Sequence, residues 1–333
     1  MYDYGYVEYL TDKAEEYLKK KKFREGYSLI YQLLIPDNLL SLLQYKGEDK
    51  FFITDHLKKI KKYRNYYKKL WKNEDLTDKT LFIFYYSCGY GDYIMNARYI
   101  NILKKLAGKV IIEADHNIYD LYKFNFPDCE IVANEEKELK IDYDYTYHHE
   151  LFAGLQKDFN DMYMSEGYLD ADPNLVKKYS YLFDTQKIKV GFFISTEKDD
   201  GRSVPAELME PIFRNQNCQF YTLALGDPVP TVDELQKKYN VIELKHYINS
   251  ANDTAALMKN MDLVISIDSF PIHLAGAMGV KSYLMLCDDS DWRWFNDRET
   301  TPWYDSVRIF KQKIRDRWED VAIDIAEAIK KEF

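Results

Sequence analysis

Asp268 and Ser269 interrupt an apolar run just where a helix should begin, an arrangement that suits a phosphate. Leu263–Ile267 before them is apolar and β-branched, as in a strand buried on both faces. Both residues are good N-caps, Pro271 suits a first helical turn, and the pattern runs through Ile272, Leu274, Ala275 and Met278 to a stop near Gly279. His273 lies one turn on from Ser269. A second strand follows from Ser282 to Leu286, so this stretch is half of a parallel α/β sheet. Such sheets bind ligands beyond the carboxyl ends of their strands, where a helix start offers N–H groups and partial positive charge. A diphosphate fits there; a plain capped helix is the alternative.

A second strand-to-helix turn follows Thr80–Tyr86, where Gly89, Gly91 and Asp92 precede a helix carrying Ile94, Ala97, Ile100, Leu103 and Leu106 inward. Ile94 stands where a dinucleotide fingerprint needs its third glycine, which weakens a nicotinamide reading. His148 and His149 close a predicted strand and fit either a substrate contact or a structural role. Asp288, Asp289 and Asp291 are read as a solvated loop, and no metal site is expected. The cysteines, Cys88, Cys129, Cys218 and Cys287, form no CxxC pair; buried reduced thiols are expected.

The elements that must position these residues fall into blocks. At 333 residues, with 46% apolar and 30% charged side chains, the chain has room for two folded domains. Its net charge of −9 argues against a general nucleic-acid partner. The basic stretches Lys58–Arg64 and Lys68–Lys72, interleaved with aromatics, read as a solvated helical face. The opening decapeptide MYDYGYVEYL has neither the basic nor the apolar region of a signal peptide, and no apolar run approaches 18 residues. A cytoplasmic location is expected, with at most peripheral membrane association. Residues 1–75 have helical periodicity and form an N-terminal extension with no second repeat copy. Residues 76–180 alternate strand and helix, with the stretch from Glu166 to Lys187 as a connection. Residues 181–315 form a second α/β unit with strands near 188–193, 219–225, 241–244 and 307–310, and residues 316–333 a terminal helix.

The motifs resemble glycosyltransferase family nine, the heptosyltransferase-like enzymes, in the branch often fused to tetratricopeptide repeats. Gly89–Tyr99 (GYGDYIMNARY) looks like its first turn, Gly201–Pro205 (GRSVP) like its Arg-Ser-Ile-Pro loop, and Asp262–Gly279 like its donor-binding strand-turn-helix. DWRWF and TPWYDSVRIFKQ match the branch's tail, so the matches run from about Lys79 to Ile329.

The resemblance implies a GT-B fold, with two Rossmann-like parallel-sheet domains facing across a cleft. It implies an inverting, metal-independent glycosyltransferase that needs no cofactor, the nucleotide-sugar being a substrate. Asp92 corresponds to the proposed base, although it also suits a helix cap. Backbone N–H groups after Asp268, the Ser269 hydroxyl, Ser203 and Arg202 would meet the donor's diphosphate and sugar, with Asp268 and His273 beside them. Gly89, Gly91, His149, Trp292 and Trp294 are candidate pocket residues. The expected partners are a nucleotide-diphosphate sugar, ADP-heptose-like by analogy, and a glycan, lipid-linked or protein acceptor; a homo-oligomer is open. A nucleotide-sugar epimerase or hydrolase of the same fold, and a non-catalytic nucleotide-sugar-binding scaffold, are the alternatives.

Overall fold

The computed structural model describes residues 66, 69–71, 74–85, 89–134, 139–148, 166–196, 201–224, 237–290, 292–294 and 298–333. Almost all of the helical extension expected over 1–75, most of the basic stretch at 58–72, and His149 lie outside them. The chain divides into two units: Met1–Ser87, Tyr99–Asp115 and Pro127–Met162 make one, and Cys88–Arg98, His116–Phe126 and Tyr163–Phe333 the other. Each unit holds a largely parallel sheet, as the GT-B expectation requires.

The first half of the chain runs β1 (Thr80–Phe84), α1 (Tyr90–Ala97), α2 (Ile100–Leu106), β2 (Lys109–Ala114), α3 (His116–Asn125), β3 (Glu130–Ala133) and β4 (Tyr145–His148). The four strands form the first unit's sheet in the order β3-β2-β1-β4, all parallel, with Leu81 opposite both Val110 and Tyr145. β1 and β2 are the inner strands and are buried beyond their first residues, which is why β1 reads as an almost unbroken apolar run and β2 as one interrupted only by the buried Glu113. Tyr66 is fully buried, stands edge-on to Phe82 at 5.0 Å, and accepts a bond from Thr146 Oγ1 through its carbonyl.

His148 closes β4 against the Phe84 ring. Burial pushes its imidazole down to about 3 from an ordinary 6.5, so it is neutral in the folded chain. The unfolded chain therefore binds more protons between those two values, and this contribution to stability is full above pH 6.5 and lost as pH falls towards 3. His148→Gln is expected to flatten the slope of the urea midpoint against pH in that window. An unchanged slope would show that another group sets it.

The sequence predicts one helix after the Gly89–Asp92 turn, carrying Ile94 to Leu106 inward; the chain instead starts its helix at Tyr90, turns at Arg98–Tyr99 and makes two. Arg98 Nε donates to the Met95 carbonyl at 2.8 Å, the acceptor that a continuing helix would offer to the N–H of Tyr99. Leu106 was expected inward but is 42% exposed, because α2 ends there.

The second unit continues with α4 (Pro173–Tyr179), β5 (Ile188–Phe193), α5 (Glu210–Phe213), β6 (Cys218–Thr222), β7 (Ile242–Glu243), α6 (Ala251–Met258), β8 (Leu263–Ile267), α7 (Phe270–Ala277), β9 (Ser282–Leu286), β10 (Thr300–Thr301), β11 (Tyr304–Lys311) and α8 (Glu319–Glu332). Its sheet runs β10-β11-β9-β8-β5-β6-β7, parallel except for the β10–β11 pair. β8 lies between β9 and β5 with all five residues buried, as its composition predicts. Gly279 ends the α7 segment with φ +67°, a conformation that favours glycine. α8 buries Val321, Ala322, Ile325, Ala326, Ala328 and Ile329 along one face and leaves Ile323 exposed.

Two stretches differ from expectation. The supposed connection from Glu166 to Lys187 contains α4 and a 3₁₀ turn, Ser180–Phe183. Asp172 caps α4 by accepting from the Asn174 N–H at 2.8 Å, and Pro173 occupies the first turn, a start signal that the weak apolar pattern obscured. The last strand begins at Tyr304 rather than Val307 and is preceded by the antiparallel β10.

Candidate functional site

The site is built within the second unit at the carboxyl end of β8. Ser269 is the N-cap of α7 with extended backbone, φ −160°, but its hydroxyl makes no capping bond. Pro271 has no N–H, and the Ile272 N–H returns to the Ser269 carbonyl at 3.2 Å. This helix start therefore offers fewer outward backbone donors than most. Arg202 Nη1 donates to the Asp268 carbonyl at 2.7 Å, which brings the loop after β5 to the end of β8. Ser203 Oγ accepts the Thr196 N–H at 3.1 Å and pins that loop.

Asp92 arrives from α1, which packs on α7. A Cβ added at Gly91 would lie 2.7 Å from His273 Cδ2, closer than real Cβ atoms come, so only glycine allows this approach. Tyr90 and Phe270 meet edge-on at the same contact, with 6.2 Å between ring centres. One Asp92 oxygen, Oδ2, accepts the Gly89 N–H at 2.9 Å, and the other, Oδ1, lies 3.1 Å from Arg293 Nη1. The capping role and a place in the polar cluster thus coexist in one carboxylate. Arg293 belongs to a 3₁₀ turn, Trp292–Trp294, and its carbonyl accepts from Trp303 Nε1 at 2.7 Å.

His273 is 2% exposed and sits between Trp294 and Tyr304, with ring centres 5.2 and 5.8 Å away. Its Nδ1 is hydrogen-bonded to the Tyr304 hydroxyl at 2.8 Å. Its Nε2 lies 3.7 Å from Asp268 Oδ1, which is charge proximity rather than a hydrogen bond. Burial lowers the imidazole's affinity for a proton, and the Asp268 carboxylate opposes that only in part, so His273 is held towards the neutral form. For Asp268 burial works against ionisation, but His273, the Trp294 indole and the Arg293 charge together outweigh it and hold the carboxyl below the ordinary carboxylate range.

The structure thus brings together Asp92, Arg202, Asp268, Ser269, His273, Trp294, Gly89 and Gly91. Ser203 supports the Arg202 loop, and Trp292 lies in the turn that carries Arg293. Asp288 donates its N–H to Gln312 Oε1 at 3.1 Å, Asp289 accepts through its carbonyl from Cys287, and Asp291 lies outside the described residues. Among the described residues no three His, Cys, Asp or Glu side chains gather as a metal group, and no helix is long and apolar enough to cross a membrane. Cys218 and Cys287 are buried free thiols and Cys129 is half-buried. Sequence reasoning missed Arg293, Tyr304 and Arg98. The density of Asp, Trp and Arg after Cys287 marked the region but not the side chain that matters.

No protein-family model matches the chain. It is 25% identical over 293 residues to Protein FlbA of Caulobacter vibrioides, covering 78% of this chain and 48% of FlbA, so the chain spans about half the length of that relative. Among solved structures it is similar to a glycosyl transferase family 9 protein of Veillonella parvula, with TM-score 0.55 and 14% identity over 78% of this chain and 91% of the other. The Escherichia coli ADP-heptose LPS heptosyltransferase II gives TM-score 0.52 and 13% identity over 77% of this chain and 100% of the other. TibC, an iron-containing dodecameric glycosyltransferase of enterotoxigenic E. coli, gives 0.51 and 11% over 75% and 67%. At these identities the likeness is one of fold: two α/β units, each on a largely parallel sheet.

Proposed function

We propose that the chain is a glycosyltransferase that moves a sugar from a nucleoside-diphosphate donor to an acceptor hydroxyl. The observation that carries this reading is the convergence at one strand end of Asp92, Arg202, Asp268 and His273, which come from three motifs far apart in sequence. Asp92 takes the proton of the acceptor hydroxyl while its oxygen attacks the anomeric carbon and the bond to the diphosphate breaks, a single displacement that inverts the centre. Arg202 and the Ser269 hydroxyl at the start of α7 meet the charge that builds on the leaving diphosphate, a task a guanidinium and a hydroxyl can perform without a metal or a cofactor. An ADP-heptose-like donor is the first to test, because that is the donor named for one fold neighbour. The acceptor is a glycan, a lipid-linked saccharide or a protein side chain, and the setting is cytoplasmic. The tail motif supports the branch of the family that is fused to tetratricopeptide repeats.

A thermal-unfolding screen of the full chain against ADP, UDP, GDP and CDP, with and without magnesium, tests the donor half. A ligand that binds only the folded state stabilises it by about 2.7 kcal/mol at a hundredfold excess over its Kd. One diphosphate is expected to raise the midpoint equally with and without magnesium, and its sugar should then be consumed only when an acceptor is added. No shift with any of the four in a folded sample would overturn the reading.

A further inference from the structure

We propose that Arg293 is a donor-contacting residue shared between two partners, Asp92 and the diphosphate of a bound nucleoside diphosphate. This deepens the transferase reading and rests on it.

Charge around the cluster motivates it. Asp92 and Asp268 bring two carboxylates to the site, and His273 adds no compensating charge while it is neutral. A diphosphate brought beside two carboxylates is repelled unless cations offset it. The backbone contributes little, since Pro271 has no N–H and Ile272 donates within its own turn. Arg202 already donates to the Asp268 carbonyl. Arg293 is the guanidinium whose charge acts on Asp268 and His273 while its Nη1 touches Asp92. Its side chain is 18% exposed, so a ligand can reach it. Its backbone is held by Trp303 Nε1, and the next residue, Trp294, is fully buried against His273. Such an arm presents a fork suited to phosphate oxygens.

The sharing has a mechanistic consequence. A hydrogen given to a phosphate oxygen is no longer given to Asp92 Oδ1. Donor binding therefore draws the cation away from the base and makes the carboxylate a better proton acceptor, so that an acceptor is activated only when a donor is present.

Calorimetric titration of the full chain with pyrophosphate, ADP, UDP, GDP and CDP tests this through a double-mutant cycle of R293Q and D92N. R293Q is expected to weaken diphosphate binding about tenfold or more, the scale of one charge-assisted hydrogen bond. D92N is expected to tighten binding in the wild-type background, because it removes the competing carboxylate, and the gain should shrink in the R293Q background. Equal affinity of R293Q and wild type, or a D92N gain independent of Arg293, would overturn the inference and leave the transferase reading standing. A wild-type chain that binds none of the five ligands would overturn both. If R293Q does not fold, R293M, which also removes the charge but keeps an unbranched chain, replaces it in the cycle: a smaller D92N gain with R293M than with wild type supports the sharing, and an equal gain refutes it.

Discussion

Asp92→Asn is expected to lower turnover by roughly 10²–10⁴-fold, the usual contribution of a positioned general base, while nucleoside-diphosphate binding is kept or improved. The substitution is close to isosteric. The remaining amide oxygen can still accept the Gly89 N–H that Asp92 Oδ2 accepts at 2.9 Å, so the start of α1 is kept. What disappears is the negative charge facing Arg293 and the ability to take a proton. Asp92→Ala removes the cap as well and should cost a further stability of about 1 kcal/mol, so the asparagine variant is the cleaner test. Steady-state assays with donor and acceptor, paired with urea unfolding, separate the two effects. Turnover within about tenfold of wild type in Asp92→Asn would sink the base assignment, because an amide cannot replace a carboxylate in that role.

The parts of this site that were legible in the sequence are those written locally. Leu263–Ile267 followed by Asp268, Ser269 and Pro271 announces a buried strand, a break and a helix start, and the structure has each of them in place. The two glycines around Tyr90 announce a close approach, although only the fold reveals that Gly91 approaches His273. What stayed hidden depends on contacts across the chain. Arg293 is 201 positions from Asp92, inside a stretch without strong periodicity, and a lone arginine between two tryptophans reads as surface. The break between α1 and α2 was hidden for a related reason: the apolar spacing runs straight through it, and only the buried Arg98 side chain interrupts the hydrogen-bond ladder. α4 was missed because its apolar pattern is weak, while its cap is strong.

Arg98→Leu is expected to destabilise the chain by about 3–5 kcal/mol. A fully buried guanidinium is rare, because taking its charge out of water costs several kcal/mol. Here that cost is offset on every side. Nε donates to the Met95 carbonyl, Nη1 to the Trp303 carbonyl at 3.0 Å and Nη2 to the Tyr168 hydroxyl at 3.1 Å. The rings of Tyr168, Trp303 and Tyr304 surround the cation at 4.7, 5.2 and 5.0 Å, cation–π contacts that are strongest where water is excluded. Leucine removes the desolvation cost but leaves the Met95 and Trp303 carbonyls without this donor, at about 1–3 kcal/mol each, and fills less of the space between three aromatic rings. Lysine keeps the charge without the planar fork and should fall between leucine and wild type. The effect should also reach the site. Tyr304 forms part of this cage and holds His273 Nδ1 at 2.8 Å, and the Tyr168 hydroxyl donates to the Ile94 carbonyl within α1, the helix that carries Asp92. Under conditions where Arg98→Lys is still folded, kcat should therefore fall while the Kd for the nucleoside diphosphate changes little, because the fault lies in the placement of the base and not in a ligand contact. Urea unfolding of both variants reads the first effect. A loss below about 1 kcal/mol for leucine would mean that the cage contributes packing alone and that the charge at its centre is dispensable.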